Sequence, residues 1–239
     1  MSSMVRNRSF GPDKPKGSIT TEFNEIDCIL SEIWRKITNG AEGDPKQIAN
    51  AFVLKYKKYI FTSDEFKVGK ITLQDLIETC RVNTCSAPGI DGWHPKDLAV
   101  LSDNALQLIA DLMNMIEDGA EWPDSTKIAR AVFLPKDPDD IQNPLAYRIL
   151  EITFGTYRRW ETTRNRQLEE WISKWDLLAI NAGVPGKGAQ DAWYITALMN
   201  EHNKLLKQDT AGASIDVYKC FDQISRPLVY KLVEMAGMP

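Results

Sequence analysis

SIDVYKCFDQI, which occupies residues 214–224, is the most informative segment of this chain. Small and β-branched residues from 213 to 217 predict a short buried strand that carries Asp216. A carboxylate that leaves water needs a cation, a proton or several hydrogen-bond donors, and a divalent metal ion can be that cation. Asp222 follows six residues later. Taken alone, the two acids are more typical of a helix cap or a surface charge, so other segments must decide whether they hold a metal.

The composition of the 239 residues is that of an ordinary soluble globular protein. The length of the chain is enough for one large domain or two small ones, and its 43% hydrophobic and 26% charged residues are ordinary proportions. A net charge of -4 excludes a surface that attracts nucleic acid everywhere, but it allows a local basic stripe. The sequence has no apolar run of membrane-spanning length and no signal peptide, so we expect an intracellular protein without a membrane partner.

The four cysteines are Cys28, Cys80, Cys85 and Cys220. They show no paired spacing, which favours reduced thiols in an intracellular protein. Cys80, Cys85 and His94 could be imagined as part of a zinc site. Their spacing matches no known ligand set and a fourth ligand is missing, so we expect no structural zinc.

The first part of the chain predicts a tail followed by helices. Residues 1–19 combine four basic residues with two glycines and two prolines, which favours a disordered basic tail. Residues 20–69 contain two amphipathic helical patterns and form an N-terminal helical extension. A third helix begins after Thr72, because Asp75 three positions later completes the pattern of a capping box. One long helix is predicted from about residue 96 to residue 118.

The segment between these helices, residues 86–95, reads SAPGIDGWHP. Two prolines and two glycines surround Asp91, so the backbone must turn tightly and expose amide groups. Such a loop can cradle a phosphate or a template backbone through its N–H groups. It can equally be a simple connection, and the spacing does not separate the two interpretations.

Two extended segments and an arginine-rich stretch come next. Residues 131–135 predict a strand that leads to Lys136, and residues 147–154 alternate so that Arg148 lies opposite their apolar side chains. Between residues 148 and 166 there are five arginines and two acids, a surplus of three positive charges. This stretch is the best candidate for a phosphate-binding surface. A charged helix face with intrahelical ion pairs explains it equally well.

Five motifs then occur in a recognisable order: ITLQDLIETCRVNTCSAPGIDGW, WPDSTKIARAVFLPK, AYRIL, AGVPGKGAQDA and SIDVYKCFDQI. Together they resemble the N-terminal half of the reverse transcriptases of non-LTR retrotransposons and group II introns, which are RNA-directed DNA polymerases. The resemblance covers about residues 70–239. It implies an α+β fold, with a helix-rich fingers subdomain at 70–210 and the first strand and helices of a polymerase palm at 211–239.

The resemblance also implies roles for individual residues in nucleotidyl transfer. Asp216 matches the catalytic aspartate that binds Mg²⁺, and Phe221 matches the residue that stacks near the sugar of the incoming nucleotide. Phosphoryl transfer relies mainly on metal ions and cations at the phosphate oxygens. The other residues implied to bind the dNTP are Lys219, Cys220, Arg148 and Lys136.

A second set of residues is expected to contact nucleic acid. The glycine-rich loop matches the family's segment that lies along the template, and two arginines of the basic stretch would contact the backbone of the RNA. These residues are Pro88, Gly89, Asp91, Gly92, Arg158 and Arg159. The expected partners are therefore an RNA template, a DNA primer and a dNTP.

Two departures from the family pattern limit this expectation. Ile149 stands where the family usually has proline, which would loosen the grip on the triphosphate. The sequence also lacks the Tyr-x-Asp-Asp segment with further metal-binding aspartates, and one carboxylate cannot hold two Mg²⁺ ions. We therefore expect a truncated reverse transcriptase domain that is inactive by itself. The alternative is a non-catalytic RNA- or protein-binding remnant of a retroelement.

Overall fold

The computed structural model describes residues 3–40, 43–81, 86–174, 180–184 and 186–238. Within these ranges it combines helices with two small antiparallel sheets, which confirms the predicted α+β class. The helices are α1 (Phe23–Thr38), α2 (Pro45–Tyr56), α3 (Leu73–Cys80), α4 (Pro95–Ala99), α5 (Asp103–Glu117), α6 (Gly155–Lys174), α7 (Ala189–Leu205) and α8 (Arg226–Met235). The strands are β1 (Met4–Val5), β2 (Ile19–Thr20), β3 (Arg130–Pro135) and β4 (Tyr147–Ile152).

Contacts within the described residues group the chain into two compact units. Unit 1 comprises residues 3–40, 69–81, 86–164 and 222–224. Unit 2 comprises residues 43–68, 165–174, 180–184, 186–221 and 225–238. The domain boundaries expected near residues 69 and 210 stay predictions.

Helices α3, α4 and α5 build the first core of unit 1. The predicted capping box fixes the start of α3. Thr72 Oγ1 accepts the N–H of Asp75 at 3.2 Å, and Asp75 Oδ2 accepts the N–H of Thr72 at 2.8 Å. Two amides that a helix start leaves unpaired are thereby satisfied, which confirms the predicted origin of α3. The buried members of this core are Ile71, Leu76, Cys80, Leu98, Leu106, Ala110 and Met113.

The single helix predicted from residue 96 to residue 118 is in fact two helices. Helix α4 ends at Ala99, and α5 begins at Asp103. Ser102 separates them because its backbone is extended and its Oγ accepts the N–H of Ala105 at 3.3 Å. An N-cap serine starts a new helix, and apolar periodicity alone does not register such a cap.

The N-terminal segment is folded onto α1, whereas its composition predicted a disordered tail. Strand β1 pairs with β2 in antiparallel register. Met4 is fully buried in a second core of unit 1, where it joins Ile29, Trp34 and Tyr147. Burial of this methionine supplies an apolar anchor that a tail rich in charge and proline was not expected to have.

Three charged side chains hold the N-terminal segment in place. Arg6 Nε donates to Glu25 Oε2 at 2.8 Å, and Lys14 Nζ donates to Glu25 Oε1 at 2.6 Å. Hydrogen bonds to the carboxylate, led by that from Lys14, lower the pKa of Glu25 to about 2. The basic residues of the supposed tail therefore have a partner in α1, which a count of charges cannot reveal.

Strands β3 and β4 form an antiparallel hairpin at the two predicted positions. Their register pairs Pro135 with Tyr147 and Phe133 with Ile149. These side chains lie on one face, and Tyr147, Phe133 and Ile149 pack into the second core. The rings of Phe133 and Tyr147 meet edge to face with centroids 6.3 Å apart. The period-two pattern in the sequence is thus confirmed.

Unit 2 is built on the contact between α2 and α8. Backbone and side-chain bonds secure the residues after α8: the N–H of Phe66 donates to the Gly237 carbonyl at 2.7 Å, and Trp171 Nε1 donates to the Ala236 carbonyl at 2.8 Å. Gly237 has a φ of +81°, a left-handed conformation that favours glycine. By contrast, no residue of α7 is buried.

Residues 213–217 were predicted to form a short buried strand, and this prediction is wrong. The segment belongs to no helix or strand, and Ile215 and Val217 are 88% and 61% exposed. A strand is stable only when its N–H and C=O groups pair with a neighbour. No described residue pairs with this segment, so the described residues form no palm sheet around Asp216.

Candidate nucleic-acid interface

The β3–β4 hairpin presents an outward face that carries basic side chains. Leu134 is paired with Arg148, and the N–H of Lys136 donates to the Ala146 carbonyl at 2.8 Å. Because side chains alternate along a strand, Arg130, Lys136 and Arg148 share the face opposite the buried Tyr147. All three basic residues are exposed. The structure therefore brings together Arg148 and Lys136, which the sequence had assigned to the nucleotide.

The outward face of the hairpin has basic and apolar residues but no acid along its strands. Glu151, the one acid of the two strands, is paired with Ala131 and belongs to the other face. No described residue forms an ion pair with Arg148 or Lys136. An exposed guanidinium and ammonium in this arrangement are free to bind phosphate oxygens. Three aspartates in the turn, at residues 137, 139 and 140, weaken the positive potential near Lys136.

The glycine-rich loop of residues 86–92 is packed against the junction of β4 and α6. Gly89 is buried, and a Cβ atom at this position would lie 2.5 Å from the Thr153 carbonyl oxygen. Only glycine allows the two backbones to approach so closely. Pro88 is half-buried beside it, whereas the Ile90 side chain is 54% exposed.

Asp91 connects this loop to the first turn of α6. Its Oδ2 accepts the N–H of Gly155 at 3.0 Å, and the N–H of Gly92 donates to the Gly89 carbonyl at 3.2 Å. Gly92 is exposed and adopts a φ of +73°. The loop is therefore a tight turn held from within, and its outward surface consists of Ile90, Gly92 and the residues that follow.

Arg158 and Arg159, which the sequence assigned to the nucleic acid, make contacts inside unit 1. Arg158 Nη1 donates to Ser86 Oγ at 2.9 Å and to the Ala87 carbonyl at 3.1 Å. Arg159 is 8% exposed, and its Nη1 donates to the Thr79 carbonyl at 2.7 Å. Neither guanidinium is presented on an open surface as Arg148 is.

The rest of the arginine-rich stretch contains an ion pair between helices. Arg164 Nε donates to Glu117 Oε1 at 2.7 Å, and Trp160 Nε1 donates to the same oxygen at 2.8 Å. Burial opposes ionisation of Glu117, but the hydrogen bonds from Arg164 and Trp160 prevail and lower its pKa. The sequence also allowed ion pairs within one helix. At Arg164 the partner is instead Glu117, which lies on α5.

Most side chains of the segment of residues 214–224 are exposed. Asp216 and Cys220 are exposed, and Phe221 is 88% exposed. Lys219 is 9% exposed and has a left-handed φ of +48°. A left-handed non-glycine residue marks a local turn. Three of the four predicted residues of this motif are therefore exposed, and the fourth, Lys219, is buried in a turn.

The described residues do not fit a magnesium site. They contain no group of three or more His, Cys, Asp or Glu side chains placed to hold a metal ion. Mg²⁺ requires near-octahedral oxygen coordination, and Asp216 offers one exposed carboxylate in an irregular segment. The role of Asp216 as a metal ligand stays a prediction. Of the residues considered for a zinc site, Cys85 lies outside the described residues. Burial raises the pKa of the thiol of Cys80, another of these residues.

An aromatic cluster in unit 1 was not expected from the sequence. The rings of Trp122, Tyr157 and Trp160 lie within contact, with centroids 5.2 to 5.8 Å apart. Trp122 and Tyr157 also line a cavity of about 470 Å³. The spacing of three between Tyr157 and Trp160 indicates a shared helix face, and nothing in the sequence connects that face to Trp122.

Within the described ranges, every helix is too short or too polar to cross a lipid bilayer.

Comparison with known proteins gives one informative relative. No protein-family model matches the chain. Over 169 residues, the chain is 28% identical to the retrovirus-related Pol polyprotein from type-2 retrotransposable element R2DM of Drosophila melanogaster. The match covers 71% of this chain and 15% of the polyprotein. The similarity supports a retroelement origin for this chain, which spans a small part of its relative's length.

Proposed function

We propose that this chain is the nucleic-acid- and nucleotide-binding fingers region, with the beginning of the palm, of an RNA-directed DNA polymerase from a retroelement. The observation that carries the proposal is the outward face of the β3–β4 hairpin, where Arg148 and Lys136 are exposed together. Similarity to a retrotransposon Pol polyprotein supports the same assignment. The bound molecules are an RNA template, a DNA primer and a dNTP.

The hairpin face suits phosphate for three reasons. Arg148 has a planar guanidinium that can bind two phosphate oxygens at once, and Lys136 adds a point charge beyond the strand end. The packed core beneath the strands keeps both side chains facing outward, which reduces the entropy lost on binding. In this proposal Arg148 binds the triphosphate of the dNTP, and Lys136 binds the triphosphate or the template backbone.

The loop of residues 86–92 supplies the second contact with nucleic acid. Ile90 in the turn is 54% exposed, and Trp93 directly after the loop is 49% exposed. An aromatic ring can stack on any base, so this contact suits a template strand whose sequence varies.

Asp216 is proposed as one magnesium ligand of the complete polymerase. Two Mg²⁺ ions in such a site would neutralise the phosphate oxygens during nucleotidyl transfer. The described residues do not gather the further oxygen ligands that this chemistry needs. We therefore propose that this chain by itself binds substrates without synthesising DNA.

The binding half of the proposal is tested by anisotropy at several salt concentrations with two probes, a fluorescent dNTP analogue and a fluorescent RNA–DNA template–primer. Arg148→Ala is expected to weaken binding of the dNTP analogue about tenfold, and Lys136→Ala to weaken binding of at least one probe by the same factor, the loss of one charge-assisted hydrogen bond. The slope of log affinity against log salt falls by about one for each lost contact. Arg35→Ala and Lys36→Ala, which remove exposed basic residues from α1, are the matched controls. Equal losses in all four variants would contradict a site on the hairpin.

The alternative is a non-catalytic remnant that binds a protein partner, and α7 favours it. This helix has no buried residue, and Trp193 and Tyr194 are 74% and 65% exposed. Large exposed aromatic residues are typical of interfaces. The anisotropy assay separates the two proposals, because a remnant that binds only a protein partner has no affinity for nucleotide or template–primer that depends on Arg148 and Lys136. A primer-extension assay with dNTPs and Mg²⁺ tests the inactivity that both proposals predict. DNA synthesis that Asp216→Ala abolishes would overturn both the remnant and the claim that the chain is inactive.

A further inference from the structure

The first turn of α6 receives its cap from a distant segment. Helix starts leave amides without partners, and a nearby Ser, Thr, Asp or Asn usually accepts one of them. Here Asp91, 64 residues earlier in the chain, accepts the N–H of Gly155 at 3.0 Å. Its negative charge also lies at the positive end of the helix dipole. The loop that contains Asp91 is therefore attached to α6 at this point.

Arg158 attaches the same loop to α6 at a second point. One nitrogen, Nη1, donates to both Ser86 Oγ and the Ala87 carbonyl, at 2.9 and 3.1 Å. The other two nitrogens, Nε and Nη2, are shut off from solvent. A guanidinium in this state cannot offer its two-pronged edge to a phosphate without leaving the loop. Its contacts are those of a structural link.

Between these two points the loop is pressed against the chain that precedes α6. The close approach of Gly89 to the Thr153 carbonyl leaves no room for a side chain. Gly155 lies beside the same loop but is less confined, since a Cβ atom there would lie 3.4 Å from Asp91 Oδ2. The loop is thus fixed at its beginning, middle and end, while Ile90 and Trp93 point into solvent.

From this geometry we propose that Asp91 and Arg158 are positioning residues that clamp residues 86–92 and thereby set the affinity of the loop for nucleic acid. Neither side chain touches the nucleic acid. The link to affinity rests on the proposed function, whereas the clamp rests on the contacts within unit 1. Residues that the sequence assigned to direct template contact therefore act through the backbone they hold.

Arg158→Lys is the decisive variant because it keeps the charge and loses the geometry. Lysine cannot reproduce the branched contact with Ser86 and Ala87, so amide exchange in residues 86–92 is expected to rise at least tenfold by hydrogen–deuterium exchange. Affinity for the template–primer is expected to fall about tenfold with an unchanged salt slope, because no phosphate contact is lost. Arg148→Lys is the control: loop exchange stays at the level of the unaltered chain.

Asp91 is tested by rescue with a conservative variant. Asp91→Asn keeps an oxygen that can accept the N–H of Gly155, whereas Asp91→Ala does not. We expect near-normal loop exchange and affinity in the asparagine variant, and faster exchange and about tenfold weaker binding in the alanine variant. Thermal unfolding of both variants identifies any loss of the whole fold. Ser86 is exposed, and Ser86→Ala removes one of the two acceptors of Arg158. We expect this variant to show smaller increases in loop exchange and a smaller loss of affinity than Asp91→Ala.

The outcomes separate the clamp from the proposed function. Unchanged loop exchange in Arg158→Lys and Asp91→Ala would overturn the clamp. A faster loop with unchanged affinity would overturn its role in binding, and so would a reduced salt slope in Arg158→Lys. If the unaltered chain does not bind the template–primer, the proposed function and the link to affinity both fail, and exchange alone then decides the clamp.

Discussion

The β3–β4 hairpin and residues 213–217 carry similar strand-forming patterns, yet only the hairpin forms strands. In the hairpin, the partner strand follows after the short connection of residues 136–146, so closing the loop costs little entropy. Tyr147 is 4% exposed there, whereas Ile215 in the other segment is 88% exposed. No described residue offers residues 213–217 a ladder of hydrogen bonds.

The difference shows that a side chain is held in place where its neighbours along the chain are packed. Arg148 is fixed on the outward face because its neighbours Tyr147 and Ile149 are packed into a core. Asp216 has no comparable support, since it lies in an exposed segment without regular structure. A preorganised side chain binds with less loss of entropy, which is why the hairpin carries the proposed function and Asp216 does not.

The largest effect is expected when the packed side of the hairpin is damaged. Tyr147→Ala removes a buried ring that contacts Phe133 and a hydroxyl that donates to the Ile141 carbonyl. The free energy of unfolding in urea is expected to fall by about 3–5 kcal/mol. A loss below about 1 kcal/mol would mean that the hairpin is not anchored as described, and its contrast with residues 213–217 would disappear.

A smaller effect is expected from an added methyl group in the loop next to the hairpin. Gly89→Ala places a Cβ atom against the Thr153 carbonyl, and we expect a loss of about 1–3 kcal/mol in the free energy of unfolding. Gly212→Ala is the matched control, because no atom lies within 4 Å of a Cβ there. Chemical denaturation of both variants makes the comparison. Similar losses at the two positions would contradict the close packing of the loop.

The N-terminal segment tests whether charges can hold a short strand as packing does. Glu25 has a folded-state pKa of about 2, below its ordinary value of 4.5, so its contribution is complete above pH 4.5 and is lost as the pH falls toward 2. The free energy of unfolding in urea is expected to fall between pH 5 and pH 2.5, and to fall further in the unaltered chain than in Glu25→Gln. Equal losses would show that Arg6 and Lys14 do not hold this carboxylate.

The smallest effect is expected in the unpaired segment. Ile215→Ala removes a side chain that is 88% exposed, and the free energy of unfolding is expected to change by less than about 0.5 kcal/mol. The same urea titration used for Tyr147→Ala measures it. A loss above about 1 kcal/mol would indicate that residues 213–217 are packed in solution, which would restore the predicted strand.

Features coded by neighbours in the chain could be predicted. Thr72 and Asp75 are three residues apart, and their capping box formed as expected. The alternation around Arg148 likewise identified the outward face of β4. Ser102 shows why apolar periodicity alone is insufficient. The periodicity predicted one continuous helix, although serine is a preferred N-cap residue and starts a new helix here.

Features that join distant segments could not be predicted. Arg159 looks like any arginine on a helix, and only the fold reveals its contact with the Thr79 carbonyl. The hydrogen bond between Asp91 and Gly155 joins residues 64 positions apart, and no sequence periodicity indicates it. The same reason explains the misassigned strand at 213–217: a β-type pattern gives a tendency, and the pairing partner decides the outcome.

The register of the hairpin also restricts how its length can vary. Since Leu134 faces Arg148 and the next residues alternate, deleting one residue inside β4 would turn Arg148 toward the core and Tyr147 toward solvent. Insertions or deletions in the connection of residues 136–146 would leave both faces intact. Among relatives of this chain, we expect length changes to collect in that connection and to avoid the two strands.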